Sequence, residues 1–165
     1  MHILLGLETV GNRIFTQKRQ QITPDIKFTC NGLITKWILG ADWNDHNLYP
    51  ELQVWRNIGN ATMPYYHKIN GTVISIASES TTHIYEYGTS IPVQQGDILG
   101  VFLPKTSKSK LKLLSEEDNG PIVYYVGTGS ATESSVDAID LQHMPSLSSS
   151  SYLPLVTVEM SKYWR

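Results

Sequence analysis

Cysteine is almost absent from this sequence, since Cys30 is the only one among 165 residues. The chain therefore cannot close a disulfide within itself, and three interpretations of Cys30 stay open. It is a buried free thiol that packs as a small hydrophobic residue, a disulfide partner for a cysteine outside this chain, or a catalytic nucleophile. No histidine can be named as its partner, which disfavours the nucleophile.

Charge is also scarce. Charged residues make up 17% of the chain, and 13 Lys and Arg residues are scattered among 15 Asp and Glu residues, for a net charge of -2. Because there is no basic face to neutralise phosphates, nucleic acid is not expected as a partner. Ser, Thr, Asn, Gly and Tyr supply much of the polarity instead, and this balance is typical of secreted β-sandwich proteins.

Long hydrophobic runs are missing as well. No segment approaches the roughly 18 consecutive apolar residues of a membrane span, so direct membrane insertion is not expected. The apolar run within residues 1–7 is very short, ends at Glu8, and lacks the features of a signal peptide. We therefore expect either an intracellular protein or an incomplete piece of a longer, secreted one, and the second interpretation is favoured.

What the sequence does contain is one β-strand pattern after another between residues 22 and 102. Alternating polarity is clearest at 35–39, 52–56, 84–87 and 98–102, and most of these runs end in a turn signal. No internal repeat, heptad pattern or long amphipathic helix is found. Roughly nine or ten short strands at spacings of about 8–12 residues predict an all-β protein, an antiparallel β-sandwich of jelly-roll type.

The domain organisation follows from the same pattern. Residues 1–21 are predicted to be a weakly structured lead-in, 22–160 a single β-sandwich domain and 161–165 a short tail. A long polar insertion at 127–151 precedes the final strand at 153–160, and short helical turns are expected inside this insertion, around its middle.

Turn signals mark the predicted hairpins and two modification sites. The Asn-Gly dipeptides at 31–32 and 70–71 are predicted to close β-hairpins. The sequons at 60–62 and 70–72 both lie in predicted turns. Asn60 and Asn70 are therefore the predicted glycosylation sites if the protein is secreted.

The aromatic residues divide into core and surface candidates. Trp37 and Trp55 lie in strands and are expected to pack in the core, with one or the other between the two sheets. Trp43 lies in a polar loop and is the best candidate for an exposed aromatic residue. The residues predicted to bind a ligand in this loop are Asp42, Trp43, Asn44 and Asp45. The loop departs from the EF-hand pattern, because its sixth and twelfth positions hold Asn and Gln, so no cofactor is predicted and calcium between loops is the alternative.

No catalytic motif is found in the sequence. The five histidines lie apart, none with a partner two or four residues away, so no locally assembled metal site is predicted. No nucleophile elbow is present. A hydrolase whose triad is dispersed along the chain stays open, because triad members need not be neighbours in sequence.

Four segments resemble an uncharacterised extracellular module found in cell-surface proteins of sponges and other early-branching animals. They are FTCNGLITKWI (28–38), PELQVWR (50–56), QGDILGVF (95–102) and NGPIVYY (119–125). The resemblance spans about residues 20–160. It implies a secreted or ectodomain setting beside other adhesion or receptor modules, and a partner for Cys30 upstream of this chain. It carries no known active-site residues.

These observations lead to one functional expectation with two alternatives. The leading hypothesis is an extracellular recognition or adhesion module of a larger cell-surface or secreted protein, which acts by binding a protein or a glycan rather than by catalysis. The first alternative is a carbohydrate-binding module, and the second is a hydrolase with a dispersed site.

Overall fold

The protein is all-β, as the sequence predicts. The computed structural model describes residues 14–15, 20–42, 50–74, 84–103, 110–115, 122–126, 135–143, 147–150, 153–154 and 156–162. In these residues the chain forms strands and no helix, and the strands build two antiparallel sheets in a sandwich-like arrangement. The strands are β1 (Ile14–Phe15), β2 (Gln20–Lys27), β3 (Gly32–Asp42), β4 (Glu51–Asn57), β5 (Tyr65–Val73), β6 (Ile84–Val93), β7 (Ile98–Phe102), β8 (Lys110–Ser115), β9 (Val123–Val126), β10 (Ala138–Asp140), β11 (Leu147–Ser150), β12 (Leu153–Pro154) and β13 (Val156–Lys162).

The larger sheet has seven strands in the order β10-β5-β4-β7-β2-β9-β11. Every neighbouring pair is antiparallel. Strand β4 therefore lies inside the sheet, between β5, which follows it in sequence, and β7, which is distant in sequence.

The smaller sheet is organised around β3. Strands β6 and β13 pair with its two sides, and its last residues, Ala41 and Asp42, pair with β8. Strand β8 in turn pairs with β1 and β12. The final long strand, β13, thus returns after the polar insertion and pairs inside the sandwich, as the sequence predicts.

The main hydrophobic core lies between the two sheets. Trp37 of β3 is fully buried there, which confirms its predicted place, and Leu52 and Val54 of β4 pack against it from the larger sheet. These side chains alternate along their strands with residues that face away, as the pleat of a strand requires.

A second buried cluster lies on the opposite face of the larger sheet. Trp55 follows Val54 in β4 and therefore points away from the main core, yet it is also fully buried. Ile22, Tyr66, Ile98 and Ile139 complete this cluster. The prediction that Trp55 is buried is confirmed, and Trp37 is the tryptophan that lies between the two sheets. The larger sheet thus buries side chains on both of its faces.

A buried pair of glutamine side chains adjoins Trp55. Gln20 Nε2 donates to Gln53 Oε1 at 2.6 Å, and Trp55 Nε1 donates to the same oxygen at 2.9 Å. Both glutamines are almost completely buried. Since a buried amide without a partner costs about 1–3 kcal/mol, these hydrogen bonds allow polar groups to lie inside the second cluster.

Both predicted Asn-Gly hairpins are wrong. The dipeptide at 31–32 joins β2 to β3, which belong to different sheets and do not pair with each other. Gly32 is required there because the Ser161 carbonyl oxygen of β13 occupies the space of a Cβ. The dipeptide at 70–71 lies inside the continuous strand β5, where Gly71 leaves room for the Glu51 carboxylate.

The polar insertion contributes strands rather than the expected helical turns. In its described residues, β10 pairs with β5 and β11 pairs with β9, so the insertion supplies both edge strands of the larger sheet. Ile139 of β10 is fully buried in the second cluster. Burial of this one apolar side chain on a sheet edge explains why a segment with little local propensity becomes a strand.

The close approach of Trp55 to β7 gives a stability prediction. A Cβ on Gly100 would lie 2.5 Å from Trp55 Nε1 and 2.9 Å from the backbone oxygen of Gln21. We expect Gly100→Ala to lower the free energy of unfolding by about 1–3 kcal/mol, as overpacking of a core does. Urea unfolding followed by tryptophan fluorescence measures the change.

Gly88→Ala is the matched control, because Gly88 also lies in a strand but its Cβ would meet no atom within 4 Å. We expect this variant to unfold at or slightly above the wild-type urea midpoint. Equal destabilisation by the two substitutions would contradict the packing of Trp55 on Gly100.

Candidate functional site

Most of the predicted binding loop lies outside the described residues. Trp43, Asn44 and Asp45 are in this undescribed part, so their role as ligand-binding residues stays a prediction. Asp42 is the last residue of β3, and its backbone pairs with Lys110 of β8. The loop therefore begins where β3 passes from its pairing with β6 to its pairing with β8.

The two predicted glycosylation sites lie in different environments. Asn60 is in an exposed turn between β4 and β5, as predicted. Asn70 is half-buried within β5 and pairs with Val54, so its predicted place in a turn is wrong. The pairing with β4 overrides the local preference of Asn-Gly for a turn.

Cys30 lies just before β3, where its half-buried side chain packs against the main core. This position fits a thiol that behaves as a small hydrophobic residue. Its pairing with a cysteine outside this chain stays a prediction.

Three chemically distinctive side chains meet on one exposed surface of β4 and β5. Arg56 and His67 are directly opposite each other, so their side chains share a face of the sheet. Tyr65 lies two residues before His67 on the same face, with ring centroids 5.2 Å apart and planes inclined at 47°. We name Arg56, Tyr65 and His67 the β4–β5 face.

The β4–β5 face is a continuation of the side of the larger sheet that packs on the main core. Arg56 follows Leu52 and Val54 with period two, yet its side chain is 33% exposed. Tyr65 is 37% exposed and His67 is exposed. The smaller sheet therefore leaves this end of the larger sheet accessible.

Asp97 holds Arg56 in a fixed orientation. Arg56 Nε donates to Asp97 Oδ1 at 2.7 Å, and Arg56 Nη2 donates to Asp97 Oδ2 at 2.9 Å. Asp97 is only 1% exposed and also accepts the backbone N–H of Gln94 at 2.8 Å. The hydrogen bond to Asp97 raises the pKa of Arg56. A guanidinium has five N–H donors, so three stay available to a ligand.

A tight turn places Asp97 beneath Arg56. Asp97 N donates to Gln94 O at 3.1 Å across the turn, and Gly96 has a φ of 92°. Gly96 tolerates this left-handed backbone because it has no Cβ. The ion pair with Arg56 depends on the register of β4 against β7, which no local pattern in the sequence reveals.

The opposite side of β5 is fixed by Lys68. Its Nζ lies 3.0 Å from Glu51 Oε1 and 3.0 Å from Asp137 Oδ1, and it donates to Ser135 Oγ at 2.7 Å. Burial lowers the pKa of Lys68, but the hydrogen bonds to Asp137 and Glu51 outweigh burial and raise it above the ordinary value. These contacts attach the 135–143 segment to β5. The β4–β5 face therefore lies on a strand that is held in place within the sheet.

One histidine forms a pair with a carboxylate. His143 Nδ1 lies 3.0 Å from Asp140 Oδ2, and the hydrogen bond from Gln142 N–H is the main cause of a lowered pKa for Asp140. Within the described residues, no hydroxyl or thiol hydrogen-bonds to this imidazole. The pair closes the turn after β10 and gives no support to a hydrolytic triad there.

Sequence reasoning missed the three residues of the β4–β5 face as site residues. In the sequence they occupy ordinary strand positions. The valine and tryptophan that precede Arg56 indicate a buried strand, so the sequence gives no sign that the Arg56 side chain is exposed. No group of three or more His, Cys, Asp or Glu side chains forms a metal site among the residues with described positions.

The burial of Asp97 gives the second stability prediction. Arg56→Leu leaves an almost fully buried carboxylate without its charged partner, and we expect the free energy of unfolding to fall by about 1–3 kcal/mol. Thermal and urea unfolding of the variant measure this loss.

Lys36→Leu is the control, because the Lys36 side chain is 32% exposed, close to the value for Arg56, while its partners Glu86 and Glu159 are 58% and 34% exposed. Exposed ion pairs contribute little to the free energy of unfolding, so the urea midpoint of Lys36→Leu should stay near that of wild type. An equally large loss for Lys36→Leu would show that burial of Asp97 is not the cause.

Comparisons with known proteins found no match for this chain among protein-family models, curated proteins or solved structures. In the described part of the chain, no helix has the length and hydropathy needed to cross a bilayer. Function must therefore be argued from the side chains of the β4–β5 face and their surroundings.

Proposed function

We propose that this protein is an extracellular recognition or adhesion module of a larger cell-surface or secreted protein, and that it acts by binding a protein partner through the β4–β5 face. The observation that carries the proposal is the exposed cluster of Arg56, Tyr65 and His67 on a paired region of the sheet. The likeness of its strand segments to an extracellular module of early-branching animals supports the proposed location.

The composition of the β4–β5 face suits protein recognition. Tyrosine and arginine are the residues most enriched where interfaces gain their affinity, together with tryptophan. The bidentate pair with Asp97 holds Arg56 in place before a partner arrives, so less side-chain entropy is lost on binding. The same pair leaves donors of Arg56 for a carboxylate or carbonyl of the partner.

A carbohydrate is the alternative ligand, because the exposed ring of Tyr65 offers a surface on which a sugar can stack. Two features favour a protein instead. The rings of Tyr65 and His67 are inclined at 47° and do not form one flat platform. The guanidinium of Arg56, held by Asp97, adds a charged donor beside these rings, and arginine is enriched in protein–protein interfaces.

Binding arrays test the proposal and its alternative together. The full chain, labelled and tetramerised, is applied to a panel of recombinant ectodomains from the source organism and to a broad glycan array. We expect binding to at least one ectodomain, and we expect the Tyr65→Ala/His67→Ala variant to bind it at least tenfold more weakly, since loss of a central aromatic contact costs about 2 kcal/mol or more.

Tyr87→Ala is the matched control, because Tyr87 is 41% exposed on β6, close to the 37% of Tyr65. Its binding should equal that of wild type. If the Tyr65→Ala/His67→Ala variant binds as well as wild type, the β4–β5 face is not the protein interface. Binding of the wild-type chain to glycans alone would also contradict the proposal.

A further inference from the structure

The loop between β4 and β5 presents one asparagine amide to solvent. Asn60 Oδ1 accepts hydrogen bonds from Thr62 N at 2.9 Å, Thr62 Oγ1 at 2.8 Å and Met63 N at 2.8 Å. These three donors hold Oδ1 in place, and Asn60 is exposed. The arrangement joins the asparagine of a sequon to its threonine through a direct hydrogen bond.

The hydrogen bonds to the Asn57 and Asn60 side chains are made within this loop, and the 135–143 segment adds two contacts to it, from Gln142 Nε2 to Thr62 O and from Leu141 N to Pro64 O. Asn57 Oδ1 accepts the backbone N–H of Gly59 at 2.9 Å and that of Tyr65 at 3.0 Å, which closes the loop on itself. Most of these hydrogen bonds join residues two or three positions apart. Side-chain to backbone bonds of this kind form without distant parts of the fold, so a nascent chain can adopt the turn early.

The second sequon shares only one of these properties, the hydrogen bond from its threonine hydroxyl. Asn70 lies within β5, opposite Val54, and Val54 faces the main core. Asn70 therefore shares the core-facing side of the sheet and is half-buried. Thr72 Oγ1 donates to Asn70 Oδ1 at 3.1 Å, but the extended strand keeps the backbone of Thr72 away from that oxygen.

Exposed aliphatic side chains flank Asn60 on both sides. Ile58 is 57% exposed two residues before it, and Met63 is 54% exposed three residues after it. Among the large hydrophobic side chains of the described residues, only Val73 is more exposed than these two. An apolar surface of this kind on a loop gains stability when another group covers it.

We propose that Asn60 carries an N-linked glycan whose first sugars cover Ile58 and Met63, and that Asn70 is not modified. The transfer forms a bond between Asn60 Nδ2 and C1 of the first N-acetylglucosamine of a lipid-linked oligosaccharide. The bond from C1 to the lipid diphosphate breaks, the diphosphate leaves with the electron pair, and Nδ2 loses one proton to a base of the transferase. The inference rests on the extracellular location in the proposed function.

The glycan would stand beside the β4–β5 face without occupying it. Ile58 neighbours Tyr65 through the backbone hydrogen bond between the two strands, while Arg56 and His67 lie further along β4 and β5. Sugars on the loop would cover its aliphatic side chains and leave the guanidinium and imidazole to a protein partner.

Peptide mapping of the wild-type chain tests the site without any substitution. The full chain is secreted from eukaryotic cells behind an added cleavable signal sequence, and N-glycosidase in ¹⁸O-water then marks each glycosylated asparagine as labelled aspartate. Trypsin cleaves after Arg56, Lys68 and Lys105, so Asn60 and Asn70 fall in separate peptides, 57–68 and 69–105. We expect the label in peptide 57–68 alone. A label in peptide 69–105, or no label in peptide 57–68, would overturn the proposal.

Melting temperatures test whether the glycan covers the loop. The glycosylated chain should melt about 3 °C above the same chain made in bacteria, since a stabilisation of about 1 kcal/mol shifts the melting temperature of a protein this size by about 2–4 °C. In the Ile58→Ser/Met63→Ser variant this difference should vanish. In the control Val73→Ser/Ile122→Ser, which changes exposed side chains elsewhere, it should persist.

A glycan at Asn60 with no difference in melting temperature, or with a difference that survives Ile58→Ser/Met63→Ser, would overturn the covering role. The added signal sequence makes the glycan readout independent of any partner. An unlabelled Asn60 with array binding intact would therefore contradict this inference alone, and a labelled Asn60 without array binding would contradict the proposed function alone.

Discussion

Burial of β4 on both of its faces is the constraint on which the rest of the structure depends. Leu52 and Val54 pack into the core between the sheets, while Gln53 and Trp55 point to the other side and are equally buried. A strand in an ordinary two-layer sandwich has one face in the core and one face in water. In this protein the outward face of β4 must therefore be covered by other residues, and its buried polar atoms must have hydrogen-bond partners there.

The second cluster and the candidate site follow from that constraint. The 135–143 segment covers part of the outward face, with Ile139 buried beside Trp55 and Lys68 joined to Asp137 and Ser135. These contacts fix β5 from one side. The other face of β5 is not covered by the smaller sheet and carries Tyr65 and His67. The 135–143 segment already holds this strand in place.

The sequence predicts the fold class well and the site poorly, for physical reasons. Period-two alternation places Val54 and Trp55 on opposite faces and identifies a buried strand, because these features are local. The burial of Gln53 depends on an amide 33 residues away, and the ion pair of Arg56 on a carboxylate 41 residues away. Gly71 looks like a turn residue in sequence, but it serves the close approach of Glu51 inside a strand.

Native-state hydrogen exchange of the β4 amides at 52–55 measures whether both faces of β4 are buried. If both faces of β4 are buried as described, these amides exchange only through global unfolding, with an opening free energy equal to the free energy of unfolding measured in urea. Exchange through local opening, at a free energy well below the global value, would show that the outward cluster around Trp55 is not a second core and would contradict the account.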